Sequence, residues 1–317
     1  MEKVPGKKEI IEALSRIQPF IHKTPVLSSS TFNQMFESDL YFKCENFQKV
    51  GAFKSRGAVN AVFSLSDDLA GKGVGTHSSG NHAQALARAG KLKNVPAFIV
   101  MPENAPEVKV NAVKYYEGII TFCKPTLKDR EDTLAEVIKQ TGATEIHPYD
   151  NYKVIEGQAT CAKELIDSVE GLDYILCPVG GGGLLSGTAL SANIFSDKTR
   201  VIACEPKGAD DAFRSFQSGE LIPSINPKTI ADGLLTSLGE RNFPIIQKYV
   251  DDIVTVSEEA IIKAMWLIFE RMKIVVEPSS AVPFAAVLEG QVNIKNKRVG
   301  IILSGGNVDL KQLPFSR

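Results

Sequence analysis

Along this chain, short apolar and β-prone runs alternate with stretches in which apolar positions recur at the helical period. The runs are Ala97 to Met101, Gly118 to Phe122, Tyr174 to Val179, Arg200 to Cys204 and Arg298 to Leu303. Between them the period predicts helices over Lys7 to Gln18, Ser79 to Gly90, Thr126 to Gln140, Val154 to Ser168 and Ser257 to Met272. Thr126 can cap the third of these, with Gly142 past its end, and the last opens on two glutamates that favour the positive end of a helix dipole. Strands alternating with helices imply an α/β chain, with parallel sheets covered by helices. No internal repeat, low-complexity tract or long linker marks a domain boundary.

Composition narrows the function classes. Over 317 residues the chain is 44% hydrophobic and 23% charged, enough core for two domains. Lys and Arg number 36 against 37 Asp and Glu, so nothing in the charge argues for nucleic acid or an anionic membrane as partner. The segment Met1 to Lys8 lacks an apolar signal region, and no run is long and apolar enough to span a membrane. Cys44, Cys123, Cys161, Cys177 and Cys204 lie scattered without metal-type spacing, which fits a reduced, cytoplasmic setting.

Four segments carry candidate chemistry. Gly180-Gly181-Gly182-Gly183 stands between the strand-like Tyr174 to Val179 and the helix-compatible Leu184 to Leu190. Glycines there permit positive φ angles and close backbone approach, so several N–H groups can converge on one phosphate at a helix start. The spacing fits neither a dinucleotide fingerprint nor a P-loop, and a ligand-free tight turn is the bland alternative. Lys54, in Gly51-Ala52-Phe53-Lys54-Ser55-Arg56-Gly57, is a candidate Schiff-base lysine if a desolvated pocket near cations lowers its pKa; alone it reads as a solvated lysine at a helix start. In Thr76-His77-Ser78-Ser79-Gly80-Asn81-His82 the hydroxyls and amides either bind a ligand or merely cap a helix. Ser304 ends the last apolar run, at the strand edge where α/β sheets place ligands.

Together these segments resemble the fold-type II pyridoxal-phosphate enzymes, and within them the serine racemase and serine/threonine dehydratase branch, over nearly the whole chain. The resemblance implies that Lys54 forms the Schiff base with the cofactor, that Gly180, Gly181, Gly182, Gly183 and Leu184 hold its phosphate, that Asn81 meets the ring hydroxyl, that Phe53 packs on the ring, and that Ser304 faces the pyridine nitrogen. A neutral hydroxyl there makes the ring a weaker electron sink, which suits brief Cα deprotonation followed by elimination or reprotonation. The branch's fold implies a large domain from residues 1–72 and 151–317 and a small mobile domain from 73–150, with the cofactor in the cleft. Closure would bring Ser78, Ser79, Gly80, Asn81 and His82 onto the substrate carboxylate, with Arg130 a further substrate contact. Lys54 and Ser79 would then be the bases on opposite faces.

The resemblance further implies a divalent site, Mg²⁺ or alternatively Ca²⁺ or Mn²⁺, from Glu205, Asp211 and the Ala209 carbonyl; Asp210 or Asp211 capping a helix near Ala212 is the alternative. Asn81, Gln84 and Lys109 stand at positions matching an ATP site of animal members. Tyr149 departs from the asparagine of animal serine racemases and leaves the preferred substrate open. A homodimer acting on a small amino acid, without an appended regulatory domain, is expected. The activity expected is serine racemisation with dehydration to pyruvate and ammonia. L-threonine or threo-3-hydroxyaspartate dehydration is the nearest alternative, and a non-catalytic phosphate-ligand-binding regulatory protein is a remote one.

Overall fold

A computed structural model describes residues 3–310 and 313–315, so Met1 and Glu2 of the N-terminal reading lie outside the described residues. In chain order the strands are β1 (Val26–Leu27), β2 (Asp39–Cys44), β3 (Val74–His77), β4 (Ala97–Pro102), β5 (Ile119–Cys123), β6 (Thr144–Glu145), β7 (Tyr174–Pro178), β8 (Arg200–Pro206), β9 (Asp252–Val256) and β10 (Arg298–Leu303). They form a six-stranded sheet, β1-β2-β10-β7-β8-β9, and a four-stranded sheet, β5-β4-β3-β6. Every pairing is parallel except that of β1 with β2 at the edge. Parallel strands need crossovers and cover on both faces, so their sequences run apolar without alternation. In β10, Val299, Ile301, Ile302 and Leu303 are all fully buried.

The register decides where ligands can sit. β10 lies between β2 and β7, with Leu303 opposite Cys44 and Ile301 opposite Leu176. The carboxyl ends of β2, β10 and β7 therefore share one edge, and residues 45–54, 304–307 and 179–182 issue from it together. The smaller sheet is built wholly from residues 74–145, and its β3 releases the segment 78–80 into the helix Asn81–Lys93.

Helix ends follow local chemistry. Thr126 accepts from the Asp129 N–H, and Gly142, at φ +73°, ends that helix. The helix expected from Val154 begins at Tyr152, because Asn151 caps it through the N–H groups of Lys153 and Val154. The apolar stripe starts later than the cap, which is why the period misses the first turn. Ser257 caps Glu258–Leu267, and Ile268–Met272 continues as a π turn rather than α-helix.

Below the shared edge lies a wholly buried ionic quartet. Arg56, two residues after Lys54, donates Nε to Glu45 at 2.7 Å and Nη1 and Nη2 to Glu164 at 2.8 Å each; Lys43 Nζ meets Glu164 at 2.6 Å. These bonds pin the helix Lys54–Phe63 to β2 and to the helix Tyr152–Ser168.

Candidate active site

The loop before Lys54 is stitched to the end of β10: the Phe53 N–H donates to the Ser304 carbonyl at 3.0 Å, and Ala52 bridges Gly305. Lys54 thus starts its helix beside Ser304, which is buried. Lys54 is half-buried, and its amine donates to the Pro148 carbonyl at 2.7 Å. Burial lowers its pKa to about 8, against an upward pull from the Glu277 carboxylate. The solvated-lysine alternative is therefore corrected; desolvation is the cause as expected, but the charged neighbour beside it is an anion, Glu277, rather than a cation. The Phe53 ring centroid is 5.1 Å from the Lys54 amine and that of Tyr149 6.0 Å.

β7 delivers the glycine run to this place, and the helix Gly183–Phe195 begins at its end. Of the four glycines only Gly182, at φ +91°, needs the left-handed backbone. The demand at Gly181 is for space, because a β-carbon there would run into the Tyr149 ring. A side-chain-free helix start with no side-chain cap suits an anion. Leu184, behind it, is buried.

Neither Ser78 nor Ser79 caps the helix predicted from Ser79. The helix starts at Asn81, Gly80 is its cap residue, and Ser78 Oγ only accepts the Gly80 N–H at 3.4 Å, leaving Ser79 in the connecting loop. Asn81 Nδ2 reaches both oxygens of Glu277 at 3.0 and 3.1 Å, and Asn307 donates to Asn81 Oδ1 at 2.9 Å. Burial raises Glu277 to about 7. Glu277 and Asn307 are residues that sequence reasoning missed: Glu277-Pro278 opens an apolar helix and reads as nothing more than a helix start.

Three histidines gather on the same side. His82 Nε2 bonds the Ile146 carbonyl at 3.0 Å, and His147 Nδ1 accepts the Asp150 N–H at 2.9 Å. Burial, assisted by the Lys54 charge, lowers His82 to about 3, and burial, with His77 and Lys54 nearby, lowers His147 to about 4, so both are neutral. Arg130 is half-exposed and bonded to the Thr126 carbonyl at 3.3 Å; burial, with the Arg130 charge second, lowers the pKa of His77. Lys109 pairs with Asp232 at 2.8 Å, while Gln84 stands one turn beyond Asn81.

Glu205, at the end of β8, and Asp211, just beyond it, are both fully buried, with Ala209 between them. Burial raises them to about 9 and about 6, Asp211 adding to the rise at Glu205. Asp211 Oδ1 is buried without a hydrogen-bond donor, and this suits a hard cation as its partner. No group of three or more His, Cys, Asp or Glu gathers among the described residues, so such a site would lean on the Ala209 carbonyl and water. The helix Asp211–Ser218 is capped by neither Asp210 nor Asp211: Glu205 takes the Ala212 and Phe213 N–H groups at 3.0 and 2.8 Å, reaching over from the strand.

A parallel α/β framework with a phosphate-type glycine turn, a half-buried lysine of lowered pKa and polar groups around it defines a Schiff-base-forming, phosphate-cofactor enzyme. The pyridoxal-phosphate dependent enzyme family model matches residues 17–305, and the chain belongs to that family. It is 52% identical over 310 residues to a serine racemase of Dictyostelium discoideum, covering 96% of each chain. It is 48% identical over 313 residues to a beta-hydroxyaspartate dehydratase of Paracoccus denitrificans, covering 99% of each. The structure of maize serine racemase superposes with a TM-score of 0.96 at 45% identity, covering 98% of this chain and 96% of that one. The protein is a pyridoxal-phosphate enzyme of the racemase and ammonia-lyase group with the fold-type II architecture. No helix among the described residues is long and apolar enough to cross a membrane.

Proposed function

We propose that this enzyme racemises serine and eliminates water from it to give pyruvate and ammonia. What supports this most is a low-pKa Lys54 amine set near Tyr149, which packs against Gly181 of the glycine turn, and near enough to His82 of the Ser78-to-His82 segment for its charge to act there. The cofactor, when bound, supplies the electron sink that makes the substrate's Cα–H acidic. Gly180 to Gly183 and Leu184 would hold its phosphate, Asn81, Phe53 and Ser304 its ring. Lys54 moves the Cα proton on one face and Ser79 on the other. Return of a proton to the opposite face inverts the amino acid, whereas departure of the β-hydroxyl as water, followed by hydrolysis of the C–N bond, leaves keto acid and ammonia. Residues 73–150 act as the lid that excludes water, and Asn81 bonding Glu277 draws it down.

Glu205, Asp211 and the Ala209 carbonyl hold Mg²⁺, or Ca²⁺ or Mn²⁺ in its place. ATP at Asn81, Gln84 and Lys109 would have to displace the Lys109–Asp232 pair. The enzyme acts as a cytoplasmic homodimer, and its five buried free cysteines accord with a reducing compartment.

A second reading is dehydration of threo-3-hydroxyaspartate, favoured by Arg130, a cation near His77 available for a second carboxylate. Pure enzyme incubated with L-serine, D-serine, L-threonine and both 3-hydroxyaspartates, with and without Mg²⁺, separates the two. Serine inversion with Mg²⁺-stimulated pyruvate release supports the first; keto acid from hydroxyaspartate alone, without inversion, overturns it.

A further inference from the structure

Asn242 lies outside every motif of the sequence and is fully buried. Its single amide nitrogen donates to the Gly181 carbonyl at 3.1 Å, the Tyr149 carbonyl at 3.1 Å and Asp150 Oδ1 at 3.3 Å. Three acceptors face that nitrogen, so the amide orientation is fixed. Its own Oδ1 is left buried without a partner, and the donor side is what the fold retains at that cost. The Gly239 N–H is a second donor to the Gly181 carbonyl, at 3.1 Å, and Gly239 itself is side-chain-free where Asp150 approaches. Asp150 Oδ1 also takes the Arg241 N–H at 2.9 Å.

The peptide between Gly181 and Gly182 is planar and trans. Pinning its carbonyl toward Asn242 and Gly239 turns the Gly182 N–H the opposite way, away from both. The same amide grips Tyr149 and Asp150, where the chain returns from the smaller sheet to the helix Tyr152–Ser168. On that return, Ile146 is held by His82 and Pro148 by Lys54.

We propose that Asn242 is a positioning residue that sets the glycine turn's N–H groups for the cofactor phosphate and fastens that turn to the returning segment Tyr149-Asp150. Its direct hold is on the phosphate turn, because the residues assigned to the ring, Asn81, Phe53 and Ser304, make none of these bonds. The inference rests on membership of the pyridoxal-phosphate family and is independent of which amino acid is the substrate.

The test compares two probes on enzyme resolved of its cofactor: pyridoxal phosphate, and pyridoxal, which lacks the phosphate. Dissociation constants are read from cofactor absorbance and intrinsic fluorescence. Asn242→Ala should weaken pyridoxal phosphate about tenfold, the scale of one buried hydrogen-bonding group, and leave pyridoxal within twofold. Asn242→Asp, of the same size, turns the donor toward three oxygens as an acceptor and should weaken pyridoxal phosphate at least as much; it decides the matter if the alanine variant does not fold. Equal weakening of both probes, or unchanged pyridoxal phosphate affinity in Asn242→Asp, overturns the proposal.

Discussion

Replacing Arg56 by Met should destabilise the protein more than any comparably sized apolar change, although Arg56 touches neither glycine turn nor cleft. The guanidinium spends five donor contacts on Glu45, Glu164 and Thr160, all at 2.7–3.1 Å and away from water. Its removal leaves two buried carboxylates facing only Lys43, one uncompensated charge. Breaking a buried pair by deleting one partner costs about 3–5 kcal/mol. With an unfolding entropy of about 2.1 cal/mol/K per residue, 317 residues amount to about 0.67 kcal/mol/K, so the melting temperature should fall by roughly 4–8 °C. The assay is a thermal melt at pH 7.5, run at one scan rate with and without excess pyridoxal phosphate. Adding Glu45→Gln to Arg56→Met restores charge balance around the Lys43–Glu164 pair and should recover at least half of the loss. A single variant that melts within 1 °C of the parent would refute the electrostatic reasoning, and a double variant that melts lower still would leave packing as the cause of the loss.

The site makes its own predictions. The neutral Lys54 amine is the nucleophile for cofactor loading, so the loading rate on resolved enzyme should rise through pH about 8; Glu277→Gln removes the charge that pulls this pKa up and should move the midpoint lower, and an unmoved or higher midpoint counts against it. Ser79→Ala should suppress serine inversion and D-serine elimination while L-serine elimination survives, as followed by chiral chromatography with a pyruvate assay; equal loss of both would remove Ser79 from its role. Mg²⁺ at 100 times its dissociation constant should stabilise the enzyme by about 2.7 kcal/mol, about 4 °C in a melt by the same entropy, and Asp211→Ala should abolish that shift. An unchanged Mg²⁺ shift in Asp211→Ala places the cation elsewhere.

Much of the candidate site was legible in the chain because its residues announce themselves locally. Four consecutive glycines between a strand and a helix have few meanings, and apolar runs alternating with helical periods specify parallel α/β layers, since only strands covered on both faces can be apolar throughout. Thr126 and Gly142 mark their helix by cap chemistry that needs no partner from elsewhere. Tertiary structure alone decided what required two distant segments to meet. Whether Lys54 is wet or dry depends on Pro148, nearly a hundred residues on, and its charged neighbour Glu277 stands over two hundred residues on. Glu205 capping the helix Asp211–Ser218 looked like work for an aspartate, because a strand residue seven positions back carries no local sign of reaching over. Asn242 and Asn307 are silent in sequence for the same reason: a buried amide takes its meaning from its acceptors, and the fold supplies those. Local propensity acts over a turn or two of chain, whereas desolvation and hydrogen-bond satisfaction are properties of the packed whole.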